Sequence, residues 1–248
     1  LRGLQLEQVI TAESAPTIGA ETPIPRPKGC RHAVLIGDHC QLGPVVKSRV
    51  AERAGLANSM FARLVAAGAQ VFMLTVQYRM HPGISAFASG RFYGGRLVDG
   101  VRAEDRVGVE LLPGVSQPLL WWHVEGKEGR VPPKGSVRNE AEAAAVVQVV
   151  RGLQERGVGA SAICVIATYE AQRALLRASL RGPLASVEVD TVDAFQGRQK
   201  DYVVISPVRS NVLYGRAAVG FLFDWRRLVV AATRSRLGCV VVGNSHTL

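Results

Sequence analysis

The chain has 248 residues, of which 48% are hydrophobic and 20% charged, proportions that suit a folded core and exclude an intrinsically disordered chain. No apolar run approaches the roughly 18 residues of a membrane span, and the opening residues do not read as a signal peptide, so no membrane partner is expected. The net charge of +10 favours a polyanion, nucleic acid before membrane, although the abundance of Ala, Gly and Arg is also what a GC-rich genome would produce.

The chain opens at Leu1 in what reads as mid-domain, which gives the expectation of a fragment or an incomplete gene model. Strand-like runs are predicted at residues 8–11 and 33–36, separated by a loop carrying Pro23, Pro25 and Pro27. A helix follows at about 58–67, with Asn58 as its N-cap and Gly68 as its stop. Residues 71–76 read as a strand and 81–92 as a helix whose start is shaped by His81 before Pro82. Residues 94–118 look irregular, and 119–124 form a strand candidate containing Trp121 and Trp122.

The helix at 139–156 is the most clearly marked. Asn139 and Glu142 have capping-box spacing, and Val146, Val149, Val150 and Leu153 make one apolar stripe before Gly157. Strand 162–166, helix 170–180, strands 187–189 and 202–205, a helix near 224–233 and a strand at 239–242 complete the alternation. Alternating strands and helices predict βαβ units, hence an α/β fold of parallel sheets with helices on both faces. In such sheets ligands sit beyond the carboxyl ends of the strands, which directs attention to the polar residues that follow each strand. Of the cysteines, Cys30, Cys40, Cys164 and Cys239 form no C-x-x-C pair, and Cys164 and Cys239 lie in strand-like runs as buried thiols. A reducing compartment, cytosol or nucleus, fits that pattern.

Four stretches carry chemistry. After the second strand comes "GDHCQLGPVV", where Asp38 and Gln41 suit a nucleotide phosphate sensor, since Gln can orient a water without titrating. Taken alone, the same two residues read first as a structural turn, since turns containing Asp and Gln are common. In "VQYRMHP", Tyr78 offers a ring for stacking and Arg79 a fixed cation for phosphate. "VEVDTVDAFQGRQKDYVVIS", residues 187–206, sets two acids, two bases and two amides between buried strands, where a plain connector would do. In "RRLVVAATRSR", Arg234 follows an apolar helix and could neutralise transition-state charge, or simply complete a solvated helix end.

In order and spacing, "VLIGDHCQLGPVV", "VQYRMHPGISAF", "TVDAFQGRQKDYVVIS" and "RRLVVAATRSRLG" resemble the superfamily-one helicases of the up-frameshift RNA helicase type, over nearly the whole chain. The resemblance implies a RecA-like, P-loop NTPase fold. Residues 1–75 would be the end of the first lobe and 76–248 the second. It also implies ATP and Mg2+ as cofactors, single-stranded RNA or alternatively DNA as substrate, and surveillance-complex proteins as partners. A cytoplasmic location is implied, with the nucleus as a second compartment. Carried over by position, Glu13 is the general base, Gln41 the γ-phosphate sensor, and Arg79 and Arg234 the phosphate-contacting arginines. Asp38, Tyr78, Gln196, Gly197 and Gln199 fall toward nucleotide, and Thr168, Tyr169 and Thr191 toward RNA, while Asp193 and Asp201 brace their loop.

The chain departs from that family at several of these contacts. In "VITAES" the magnesium-binding Asp is replaced by Ala12, which has no oxygen to offer a hard cation, so no metal ligand is assigned. The phosphate-cradling G-x-x-x-x-G-K-[ST] is absent, Gln199 stands where the family has Glu, and Val229 where it has Asn. "VIATYEAQ" and "TIGAE" also differ, while "GRFYGGRLVDGV" favours the RNA-surveillance type. The expectation is part of an ATP-dependent RNA helicase in which this chain alone does not hydrolyse ATP. Its rivals are a catalytically weakened nucleic-acid clamp or scaffold and a DNA-directed helicase on the same fold.

Overall fold

The computed structural model describes residues 8–11, 34–43, 46, 48–132 and 135–248, with backbone alone for 8–11. It divides into two compact units, Leu1–Gln77 and Tyr78–Leu248.

In the first unit, β1 (Gln8–Thr11) lies between β2 (Val34–Gly37) and β3 (Val71–Met73), antiparallel to both. The parallel pairing expected from the sequence is not found here. Parallel neighbours need a crossover of a dozen or more residues, usually a helix. Antiparallel neighbours carry no such requirement. Helix α1 (Met60–Ala66) is capped by Ser59, whose Oγ accepts from the Ala62 N–H at 3.1 Å, one residue later than expected. Its buried Phe61 and Leu64 pack with Leu35 and Val71.

The second unit has α2 (Pro82–Phe92), β4 (Leu119–His123) and the hairpin β5 (Glu128–Val131) and β6 (Ser136–Asn139). It continues with α3 (Glu140–Glu155), β7 (Ile163–Ala167), α4 (Glu170–Ser179), β8 (Glu188–Thr191) and β9 (Lys200–Ser206). Helices α5 (Gly215–Val219) and α6 (Arg226–Ala232) precede β10 (Ser235–Gly243). The main sheet is wholly parallel in the order β8-β7-β9-β10-β4. Ile163, Val165 and Ala167 pack with the α3 stripe, while the alternate residues Cys164 and Ile166 are equally buried on the opposite face. That two-sided burial is why the strands read as continuous apolar runs.

The thiols behave as the sequence suggests. Cys40, Cys164 and Cys239 are buried and form no disulfide among the described residues, and burial pushes Cys239 up to about 12 and raises Cys164 as well. Cys30 lies outside the described residues. His81 caps α2 through Nδ1, which accepts from the Gly83 N–H at 2.9 Å.

One expectation fails in detail. Asn139 does cap α3, its Oδ1 accepting from the Glu142 N–H at 3.1 Å, but Glu142 does not return the bond. The Asn139 N–H goes to Gln172 Oε1 at 2.8 Å, and the Glu142 carboxylate turns inward to Ser206 Oγ and the Val208 N–H. Tertiary partners displace the local capping box because Glu142 is fully buried.

Candidate functional site

The segment between β8 and β9 explains its own composition. Both strands are parallel to β7, which lies between them, so the chain must travel from the carboxyl end of β8 to the amino end of β9. It does so in the residues after Thr191 and before Lys200, without a helix. Val192 and Phe195 are buried as its anchors. Thr191 opens the turn, its carbonyl accepting from the Phe195 N–H at 3.1 Å and its Oγ1 from the Ala194 N–H at 3.4 Å. Gly197 has φ of 84°, a left-handed conformation that a side chain would strain.

The charged residues of this segment are tied on both flanks. Asp193 pairs with Arg227 at 3.3 Å, Asp201 with Arg236 at 2.8 Å, and Lys200 with Glu188 at 3.3 Å. Arg198 pairs with Glu188 and stands over the Phe195 ring at 4.7 Å. Gln196, Gly197 and Gln199 remain exposed.

Three residues singled out in the sequence meet at the amino end of β9 and β10. Arg79 donates from Nε to Gln199 Oε1 at 2.8 Å and from Nη1 to the Thr233 carbonyl at 3.0 Å. Arg234 is wholly buried and donates from Nη2 to Thr233 Oγ1 at 2.8 Å and from Nε to the Val230 carbonyl at 2.9 Å. Thr233 therefore joins the two guanidinium groups, and the Arg234 carbonyl accepts from the Lys200 N–H at 3.0 Å. A guanidinium held in a fixed orientation is suited to phosphate, and of the two only Arg79 is partly exposed, Arg234 being enclosed. The carboxyl-end rule does not find this cluster, because Arg234 precedes its strand rather than following it.

Other predicted residues lie elsewhere. Tyr78 is exposed, its ring lying so near Gly100 that a Cβ there would stand 2.3 Å from it. Thr168 follows β7, and its Oγ1 donates to the Pro207 carbonyl at 2.7 Å. Tyr169 is 6% exposed. Its hydroxyl accepts from Arg209 Nη1 and from the Phe221 N–H, each at 3.3 Å, so its ring braces the domain from inside. In the first unit, Asp38 accepts from the Cys40 N–H at 2.9 Å and from Gln41 Nε2 at 2.8 Å, closing a turn over a buried Gln41. Glu13 and Ala12 lie outside the described residues.

Sequence reasoning passed over Thr233 and Arg106. Arg106 donates to the Tyr78 carbonyl at 2.6 Å and the Arg79 carbonyl at 2.9 Å and so orients both. It sits in the irregular stretch, where nothing in the pattern marks it. At the other end of the sheet, His123, Glu125 and His246 also come together. His123 Nδ1 lies 2.7 Å from Ser245 Oγ and serves the closing turn.

Comparison with known proteins places the chain. AAA-domain family models match residues 56–246 and residues 1–49. Regulator of nonsense transcripts 1 from Caenorhabditis elegans is 43% identical, covering 100% of this chain and 24% of that protein. Its homolog from Arabidopsis thaliana is 43% identical, covering 100% and 20%, and the ATP-dependent helicase NAM7 from Saccharomyces cerevisiae 41%, covering 97% and 25%. The chain thus spans 20–25% of the length of these curated relatives. With one family model spanning residues 56–246 and a second residues 1–49, the chain belongs to the AAA-domain family, alongside regulators of nonsense transcripts.

Proposed function

We propose that this chain is part of an ATP-dependent RNA helicase of the nonsense-mediated decay type, in which ATP hydrolysis is coupled to movement along single-stranded RNA. The observation that carries the reading is the bond from Arg79 to Gln199 and the joining of Arg79 to Arg234 through Thr233. Arg79, its plane fixed by Gln199 and the Thr233 carbonyl, can meet phosphate oxygens with little reorganisation, the property that phosphoryl transfer needs, while the buried Arg234 would have to turn outward to join it. ATP, when bound, supplies the phosphoryl group that passes to water. Arg79 and Arg234 would neutralise its charge, and Gln196, Gly197 and Gln199 would line its approach. The cluster's fixed donors fit an anionic nucleotide. The strand end expected to hold Mg2+ falls outside the described residues, and its Ala12 offers no ligand.

In this reading the Thr191–Lys200 crossover is the coupling element, because it runs from the end of the sheet near Thr168 to the end holding the arginines. Thr168 and Thr191 would face the nucleic-acid backbone, which makes binding indifferent to sequence and sensitive to salt. Residues 1–75 and 76–248 would be parts of two RecA-like lobes, the working place the cytoplasm and in part the nucleus, and the partners proteins of a surveillance complex. Among the described residues no helix is long and apolar enough to cross a membrane.

Ala12 favours a second reading, a nucleic-acid clamp that keeps the fold and has lost turnover. RNA-stimulated ATP hydrolysis by the intact gene product, as found and with Ala12→Asp, separates the two. Turnover in the protein as found supports the helicase. Turnover only after Ala12→Asp identifies the clamp, and RNA binding with turnover in neither defeats the helicase reading.

A further inference from the structure

The stretch following β9 presents apolar chemistry that neither the arginine cluster nor the backbone contacts employ. Val212 is 91% and Tyr214 92% exposed, and Phe223 is 54% exposed. Side chains so placed gain little from the core, and an apolar group exposed along one short stretch of chain is available to a ligand.

The loop that carries them is fixed at its base. Asn211 donates from Nδ2 to Glu128 Oε2 at 3.0 Å and to the Ala218 carbonyl at 3.1 Å, and its Oδ1 accepts from the Leu213 N–H at 3.0 Å. Its own N–H donates to Thr247 Oγ1 at 3.1 Å. Arg209 pairs with Glu128 at 2.9 Å and donates to the Ala217 carbonyl at 2.6 Å. The backbone of the exposed tip is thereby held in place, so a ligand has only the side chains left to order. Tyr214 sits at the N-cap of α5 without capping it, so the ring is not needed for the helix.

The electrostatics select the occupant. Residues 212–227 contain three arginines and one aspartate. Each arginine stands over an aromatic ring: Arg216 over Phe223 at 5.2 Å, Arg226 over Trp225 at 5.0 Å and Arg227 over Phe221 at 5.5 Å. Such pairs occur roughly once per 70–80 residues, so three in one short stretch are a concentration. Rings interleaved with cations match a strand that offers flat bases and phosphates in alternation. Arg226 and Arg227 also pair with Asp224, and Arg227 with Asp193, so Arg216 carries the excess positive charge of the stretch, which a second copy would meet with its own. The loop also adjoins the strand end at Thr168, since Thr168 Oγ1 binds the Pro207 carbonyl and Tyr169 Oη binds the Phe221 N–H.

We propose that Tyr214, Phe223 and Arg216 form a base-stacking platform for single-stranded nucleic acid, extending the surface that begins at Thr168. The proposal rests on the nucleic-acid reading above and adds that bases, besides backbone, are engaged.

The test uses the 248-residue chain, a fluorescein-labelled 12-mer oligoadenylate and an abasic strand of equal length and charge. By anisotropy, wild type is expected to prefer the adenylate. The double variant Tyr214→Ala/Phe223→Ala should lose roughly tenfold in affinity for it and none for the abasic strand. Tyr214→Phe, which keeps the ring, should retain wild-type binding. Wild-type affinity for adenylate in the double variant overturns the platform and leaves the nucleic-acid reading standing. Failure of wild type to bind either strand at low salt overturns both. A concentration-dependent dimer in sedimentation velocity that Tyr214→Ala abolishes overturns the platform in favour of self-association.

Discussion

Arg79 and Gln199, 120 positions apart, are joined by a hydrogen bond of 2.8 Å from guanidinium Nε to amide Oε1. The bond fixes the plane of the guanidinium, and the Thr233 carbonyl fixes its second edge. Removing the cation should cost far more than loosening its orientation. In whichever version of the intact gene product turns over ATP, Arg79→Ala is expected to lower turnover by about 10³-fold or more. Gln199→Ala should lower it by no more than about tenfold. Steady-state ATPase at saturating RNA measures both, and equal losses would show that the amide does more than orient.

Arg234 combines a structural and a chemical role. Its guanidinium is buried and satisfies the Val230 carbonyl and the Thr233 hydroxyl. Arg234→Ala leaves those acceptors without a donor, which costs about 1–3 kcal/mol, and it should abolish turnover. Urea denaturation of the 248-residue chain reads the first effect and ATPase of the intact product the second. Oligonucleotide affinity should stay within about twofold, since the group faces inward; a larger loss would place Arg234 on the nucleic-acid path.

The acid Glu142 should make stability depend on pH. Burial pushes it up from 4.5 to about 8, against the lowering effect of its bonds from Ser206 and the Val208 N–H. Between those two values the folded chain keeps a proton that the unfolded chain has released, so stability falls as pH rises through the window and levels off above it. Glu142→Gln preserves the shape and removes the titration. The urea midpoint of wild type minus that of Glu142→Gln should therefore decrease from about pH 5 to about pH 8; a constant difference would mean that the carboxyl is ionised throughout.

Tyr169 and Gly220 form one device. Gly220 has φ of 57°, and a Cβ there would stand 2.1 Å from Arg209 Nη1 and 2.2 Å from Tyr169 Oη. Gly220→Ala is expected to destabilise the fold by about 1–3 kcal/mol and, by displacing Arg209, to weaken oligonucleotide binding. Tyr169→Phe should cost about 1 kcal/mol and leave binding unchanged. Calorimetry and anisotropy on the same samples check both; lost binding in Tyr169→Phe would bring the hydroxyl into the site.

Much of this was legible in the sequence, for physical reasons. Strands buried on both faces, such as Ile163–Ala167, announce themselves by uninterrupted apolar runs. Helix α3 shows its stripe and its cap. The hairpin β5–β6 was not legible, because its strands are short, polar and outside the main sheet. The inward turn of Glu142 was hidden as well, since its partners Ser206 and Val208 lie more than sixty positions away. Arg79, Gln199 and Arg234 could each be picked out by motif, but their meeting through Thr233 is a property of the fold.

The position of β10 carries a consequence for biosynthesis. Written late in the chain, it is an interior strand, paired to β9 through Cys239 and Val203 and to β4 through Cys239 and Leu119. Until residue 243 has left the ribosome, β4 has no neighbour in the main sheet and β9 has an open edge. At roughly 5–20 residues per second, the interval between synthesis of β4 and β10 lasts several seconds. During that time two apolar strands lack their shared partner. Until β10 emerges the nascent chain thus presents adhesive edges to other nascent chains on the same message, and a holdase acting over that interval is the help its topology calls for.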